Sequence, residues 1–271
     1  MSNVKELFNG DGCKESLPLL QIAGEIAESI GIEAYVVGGF VRDLLMGKPL
    51  NDIDIMVVGD GINFAKHVSK ALGIHKVVPF EKFGTALIPS QPIQIEIASA
   101  RTESYDNHSR KPKQVIYTDL KGDLVRRDFT INAMAVDIRP NHFGNLYDPF
   151  EGIQDLQAKR LITPLDPNET FSEDPLRMMR GAYFASKLSF EIDDECLNSI
   201  KRQVKRIDIV SWERKTTELE KILKTPKPSI GLNILQETGL MKFVFPEIDN
   251  MVGLDQTSEW HHKDIYTHTM Q

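Results

Sequence analysis

Tyr35-Val-Val-Gly-Gly-Phe-Val-Arg-Asp43, followed by Asn51-Asp-Ile-Asp-Ile-Met-Val-Val58, decides how this chain is read. Tyr35–Val37 predicts a short buried strand, because aromatic and β-branched residues pack well on a pleated surface. Gly38 and Gly39 break that strand, since a backbone without Cβ can turn sharply and approach a ligand closely. Val41–Met46 predicts a helix, and free N–H groups at its start suit an anion such as phosphate. Arg42 adds a planar, permanently charged donor for phosphate oxygens.

Ile53, Ile55, Val57 and Val58 predict a second strand, with Asp52 and Asp54 alternating between its apolar residues. Side chains two apart on a strand point to one face, so both carboxylates project together. Two carboxylates forced together repel unless a cation lies between them. Hard oxygen ligands of this kind suit Mg²⁺ held jointly with substrate phosphates. A phosphate cradle beside a metal-holding pair implies phosphoryl or nucleotidyl transfer. Taken singly, Gly-Gly fits a plain turn and Asp-x-Asp fits a solvated strand end; the combination, one helix apart, is more specific. It resembles the signature of the polymerase-β-like nucleotidyltransferases. More narrowly, it is similar to the class II tRNA nucleotidyltransferases (CCA-adding enzymes) and the bacterial poly(A) polymerases.

The length of 271 residues accommodates about two domains. No apolar run approaches the roughly 20 residues that span a membrane, and Met1–Lys14 lacks the basic start and apolar core of a signal peptide. Two distant cysteines, Cys13 and Cys196, suggest neither a disulfide framework nor a zinc site. A cytoplasmic protein is the resulting expectation. The net charge of −7 argues against indiscriminate nucleic-acid binding through the overall field. A local patch is still available, because Lys201-Arg202, Lys205-Arg206, Arg214-Lys215, Lys221, Lys224 and Lys227 crowd the later part. Each of these cations also fits a solvated helix face.

The apolar stripe of Leu17–Ile30 predicts a helix ending at Gly31, and 61–72 predicts another closed by Gly73. Ile74–Val78, Thr85–Ile88 and Ile93–Ala98 predict strands between Pro and Gly turns. Glu96 lies on the side opposite Ile95 and Ile97, which fits a plain surface residue equally well. Arg101–Thr118 is polar, basic and poor in core residues, and predicts a mobile surface loop. Phe171–Arg180 predicts a helix start capped by Ser172 or Asp174, with Pro175 in its first turn. Asp174 and Arg177, like Arg177 and Arg180, then share a helix face, as structural ion pairs also do. Leu197–Ile209, Thr217–Leu223 and Ser229–Leu240 predict further helices.

The resemblance runs from about Leu17 to about Pro246 and assigns roles to these residues. It implies that Glu96 joins Asp52 and Asp54 as a third carboxylate, and that the 101–118 loop helps change from adding C to adding A. Arg126-Arg-Asp-Phe-Thr-Ile-Asn132 matches the family's second motif: Arg127 would contact nucleotide, Asp128 would recognise the ribose hydroxyl, and Asn132 would brace the site. Asp148–Leu156 resembles a linking motif. Glu173-Asp-x-x-Arg177-x-x-Arg180 matches the base-reading motif, with Asp174 and Arg177 facing the Watson–Crick edge of CTP or ATP. Tyr183 departs from an arginine that relatives often carry. Ser211–Arg214 with Glu218 resembles a last, helix-stabilising motif. Trp260–Gln271 looks like the opening of an HD metal-dependent phosphohydrolase domain, with His268 its first metal ligand. Its remaining ligands are absent, so a truncated domain without phosphohydrolase activity is expected.

The implied fold is an α/β polymerase-β-like head with a mixed sheet (1–150), a helical neck that reads the base (151–225), and the start of a helical body and HD domain (226–271). The implied reaction adds C, C and A to the 3′ end of tRNA from CTP and ATP, releasing pyrophosphate. Asp52 and Asp54 would hold Mg²⁺; Gly38, Gly39 and Arg42 would hold the triphosphate. Poly(A) polymerases and CC- or A-adding specialists share these motifs. A chain that binds RNA or nucleotide without turnover is the alternative from another class.

Overall fold

A computed structural model describes residues 2–50, 52–106, 109–254 and 265–270. It forms two compact units, Met1–Ser104 with Lys113–Leu156, and Tyr105–Pro112 with Gln157–Gln271. Among the described residues no helix is long and apolar enough to cross a membrane.

The first unit comprises α1 (Ser16–Ser29), β1 (Glu33–Val37), α2 (Gly39–Leu45), β2 (Asp52–Val58), α3 (Gly61–Ala71), β3 (Val78–Phe80), β4 (Thr85–Ile88) and β5 (Gln94–Ser99). A hairpin of β6 (Arg101–Asp106) and β7 (Ser109–Tyr117) follows, then α4 (Leu120–Val125), β8 (Ala135–Asp137), β9 (Leu146–Tyr147) and α5 (Gly152–Ala158). Seven strands make one sheet in the order β3-β4-β5-β2-β1-β8-β9. It is mixed, because β2 runs parallel to β5 while its other neighbour, β1, is antiparallel.

Strand alternation builds the two faces. Ile53, Ile55 and Val57, with Val36 of β1, enter one core shared with Leu20 and Ala23 of α1 and Phe64, Ala65 and Val68 of α3. Burying each large side chain there contributes about 1.5–3 kcal/mol. Tyr35, Val37 and Met56 point the other way, into a smaller cluster with Leu124 of α4. That smaller cluster leaves part of this second face open, and Asp52 and Asp54 belong to it.

Several expectations need correction. Ile74–Val77 is a connection rather than a strand: Gly73 adopts φ +69°, and the Ile74 N–H closes α3 on the Ser69 carbonyl. The edge strand β3 begins only at Val78 and includes Pro79, which an edge tolerates. The predicted 101–118 loop is a hairpin, since β6 and β7 pair with each other. Backbone pairing needs no apolar alternation, so composition concealed it.

The second unit contains β10 (Arg160–Leu161), α6 (Pro167–Glu173), α7 (Leu176–Leu188), β11 (Glu191–Ile192), α8 (Asp194–Gln203), α9 (Trp212–Leu223), α10 (Pro228–Glu237), α11 (Met241–Val244), α12 (Pro246–Asp249) and α13 (Ile265–Thr269). Among its described residues from Gln157 onward, the only strands are the short parallel pair β10–β11; the rest of its regular structure is helical. Ser172 lies inside α6 and is no cap for α7; Asp174 accepts the Leu176 N–H at 3.1 Å instead. The helix expected over 197–209 starts earlier, at an Asp193 cap, and becomes 3₁₀ from Val204. His268 lies in α13, whereas Trp260–Lys263 fall outside the described residues.

Gly24 tests the packing of α1. Helix propensity alone favours alanine there by about 1 kcal/mol. A Cβ at Gly24 would stand 1.9 Å from the Ile138 carbonyl oxygen. Gly24→Ala is therefore expected to lose about 2 kcal/mol in urea denaturation. A variant as stable as the parent would refute that close approach.

Candidate active site

The strand-to-helix turn after β1 is built by Gly38, at φ +67° and ψ −130°, a conformation that L side chains rarely adopt. α2 begins directly at Gly39, two residues earlier than predicted, and no side chain caps it. Its first N–H groups are thus left to whatever meets the turn.

β2 and β5 pair in parallel with Asp54 opposite Glu96 and Asp52 opposite Gln94. Partners across a sheet point to the same face, so Asp52, Asp54 and Glu96 form one acidic group. Asp52 and Glu96 are exposed, while Asp54 is half-buried. Burial pushes the Asp54 carboxyl up to about 6; Glu96 and then Asp52 act in the same direction, and Arg127 opposes them. Among the described residues no three His, Cys, Asp or Glu side chains close around a metal by themselves. Mg²⁺ does not require such a cage, since one or two carboxylates plus substrate phosphates commonly hold it. The crowded carboxylates fit a divalent cation, which would relieve their mutual repulsion.

The arginines are braced from below. Arg42 is 3% exposed. Its Nε and Nη2 each donate to Asp43 at 2.9 Å, and its Nη1 donates to Asn132 Oδ1 at 2.7 Å. The expected phosphate-gripping fork is therefore engaged by protein, because burial demands partners for a guanidinium. Asn132 in turn donates to Asp128 Oδ1 at 3.0 Å, and the same oxygen accepts the Phe129 N–H at 2.8 Å. The bracing expected of Asn132 is thus a chain from Asp128 through Asn132 to Arg42.

Arg127 lies against the glycine turn. Its Nη1 is 2.7 Å from where a Cβ on Gly38 would stand. Its Nη2 donates to Asp123 Oδ2 at 2.9 Å, and its buried Nε has no hydrogen-bond partner. Asp123 also accepts from Arg126 Nη2 at 2.9 Å. Burial pushes the Asp123 carboxyl up, but Arg127 and Arg126 outweigh it and hold the group below the usual carboxylate range. Asp123 was absent from the predicted site. Its signal was spacing: it precedes the two arginines by three and four residues on one helical turn.

The predicted base-reading residues belong to the second unit. Asp174 is extended, at φ −133° and ψ 100°, between α6 and α7. It therefore does not share a helix face with Arg177. Its Oδ2 accepts from Arg214 Nη2 at 3.4 Å, giving Arg214 a specific partner that the sequence did not reveal. Arg177, 8% exposed, donates from Nη1 to the Thr170 carbonyl at 3.1 Å and to Glu173 Oε2 at 3.0 Å. Arg180 stacks on Phe184, with 5.1 Å from its Cζ to the ring centre. Tyr183 is half-buried, with the Lys187 ammonium 5.6 Å from its ring centre.

Residues 34–162 match the family described as the poly A polymerase head domain, and 189–252 match the "Probable RNA and SrmB-binding site of polymerase A". An A-adding tRNA nucleotidyltransferase of Geobacter sulfurreducens is 37% identical over 248 residues, which are 90% of this chain and 28% of that protein. A CCA-adding enzyme of Thermotoga maritima, solved with tRNA, superposes with a TM-score of 0.79 at 32% identity, covering 91% of this chain and 56% of that one. A CCA-adding enzyme solved with ATP gives a TM-score of 0.79 at 31% identity over 92% of this chain and 59% of the other. The chain thus spans between about a quarter and three fifths of these three proteins.

Asp54 makes the acidic group testable without any substrate. Its raised value means that ionisation costs stability, a cost absent below pH 4 and complete above about pH 6. In chelator, Asp54→Asn is expected to be more stable than the parent at pH 8 by on the order of 2 kcal/mol, with no gain at pH 4. Denaturation curves showing the same difference at both pH values would contradict the clustering.

Proposed function

The chain belongs to the tRNA nucleotidyltransferase and poly(A) polymerase family, and we propose that it is a template-independent, Mg²⁺-dependent nucleotidyltransferase that builds the CCA end of tRNA from CTP and ATP. The observation that carries this reading is the glycine turn beside the Asp52, Asp54 and Glu96 group, in a fold shared with CCA-adding enzymes solved with tRNA and with ATP.

In this reading the RNA 3′-hydroxyl attacks the α-phosphorus of the nucleotide, a phosphodiester forms, and pyrophosphate leaves. Bound Mg²⁺ would lower the pKa of the attacking hydroxyl and offset charge on the leaving oxygens, with Asp52 and Asp54 as its ligands and Glu96 as the third carboxylate. Gly38 and Gly39 let the triphosphate approach the backbone. Arg42 holds the turn through Asp43 and Asn132 and supplies positive charge from beneath. Arg127 contacts nucleotide, and Asp128 accepts from the ribose hydroxyl, which favours ribonucleotides. Asp174 and Arg177 read the base, with Arg180 flanking them. Residues 1–150 would act as the catalytic head, 151–225 as the base-reading neck, and 226–271 as the start of the body. The cytoplasm is where its tRNA substrate would be met.

Similarity to an A-adding enzyme favours a second reading, addition of the final A alone. Two tRNA transcripts, one ending before CCA and one already ending in CC, incubated with Mg²⁺ and labelled CTP or ATP and resolved at single-nucleotide steps, separate the two. Additions of C, C and A are expected. A single A, added only to a transcript already ending in CC, would establish the specialist, and a long A ladder a poly(A) polymerase. Asp52→Ala is expected to abolish incorporation with an unchanged thermal midpoint; retained turnover would sink the metal-ligand assignment. Asp174→Ala is expected to admit UTP or GTP in the same assay, and unaltered selectivity would remove Asp174 from base reading.

A further inference from the structure

We propose that Asp123 is a positioning residue for nucleotide binding, holding Arg127 against the Gly38 turn and tying that arginine to the root of β6. This inference rests on the nucleotide-binding reading above. Asp123 is 1% exposed, on a helix pinned to the sheet by the fully buried Leu124. Its two oxygens face different partners. Oδ2 accepts Arg127 Nη2 at 2.9 Å, while Oδ1 accepts Arg126 Nη2 at 2.9 Å and Nε at 3.2 Å, with the backbone N–H of Arg101 at 3.4 Å.

Arg127 is thereby clasped along its outer edge. One arm, Nη2, is anchored on Asp123; the other, Nη1, lies against Gly38 and donates to the Asn132 carbonyl at 3.5 Å. Arginine is a long side chain that loses much rotamer freedom when fixed, so a cation held at one place needs such an anchor. The contact matters at Gly38 because that turn is where triphosphate oxygens would arrive. The Nε–H is buried and has no hydrogen-bond partner, which leaves one donor of the clasped guanidinium unused. A buried carboxylate is expensive to desolvate, and ion pairing that served stability alone would be replaceable by apolar packing. An amide at this position cannot do the same work. Asn could accept through one oxygen only, and its NH₂ would meet a guanidinium N–H, donor against donor.

The test is titration of a fluorescent ATP derivative into the parent, Asp123→Asn, Asp123→Glu and Gly24→Ala. Asp123→Asn is expected to weaken binding by about tenfold or more. Asp123→Glu keeps the charge but displaces its oxygens by one methylene, and should lie between the asparagine variant and the parent. Gly24→Ala, destabilised away from the site, should bind like the parent wherever it is folded, which separates positioning from general loss of stability. In turnover the nucleotide KM should rise while the RNA KM stays. A folded Asp123→Asn that binds within about twofold of the parent overturns the proposal; if it does not fold, unchanged affinity in Asp123→Glu overturns it equally. A parent that binds no nucleotide overturns the underlying functional reading, and this inference with it.

Discussion

The parallel register of β2 on β5 places Asp54 directly beside Glu96, with Asp52 one step along the same face. Burial, and then the like charges of Glu96 and Asp52 beside it, make the half-buried Asp54 a carboxyl that resists ionisation. Such an arrangement persists because the opposite faces of the same strands are firmly buried: Ile53, Ile55, Ile95 and Ile97 are each at most 2% exposed. Slipping either strand by one residue would relieve the carboxylates but would turn those isoleucines toward solvent. Hydrophobic burial on one face thus enforces electrostatic crowding on the other. A divalent cation is the natural relief for that crowding.

Positive charge around this group is arranged in layers. Arg42 and Arg127 both approach the glycine turn, yet neither is simply a mobile cation on a surface. Each is fastened by carboxylate or amide partners, Arg42 by Asp43 and Asn132, Arg127 by Asp123. Fixed partners reduce what must be ordered when a ligand binds, the usual route from a charged surface to a specific site. The same logic holds in the second unit, where Asp174 is met by Arg214 and Arg177 by Glu173.

The strands around Gly38 were legible in the sequence because apolar alternation, glycine turns and Asp-x-Asp spacing are local properties. β1 and β2 lie where Tyr35–Val37 and Ile53–Val58 indicated. Less legible were elements whose order comes from pairing or capping rather than periodicity. The β6–β7 hairpin is polar apart from Tyr105 and the Val115–Tyr117 end, so no alternation announced it. α6 went unseen because an Asp166 cap and Pro167 start a helix too short to show a stripe. Asp174, one of two caps the sequence offered, does accept the Leu176 N–H, but its extended backbone takes it off the helix face it was expected to share with Arg177.

The sequence by itself therefore determined the residue types of the site, the face each strand presents, and the resemblance that names its chemistry. Those follow from a period of two along a strand and from glycine's freedom to turn. Only the tertiary structure decided that Glu96 stands opposite Asp54, that Arg42 is held by Asn132 from ninety residues away, and that Asp123 fastens Arg127. Strand register is set by which residues must be buried together, and buried charges take the partners that folding brings to them. Neither can be read from spacing along the chain.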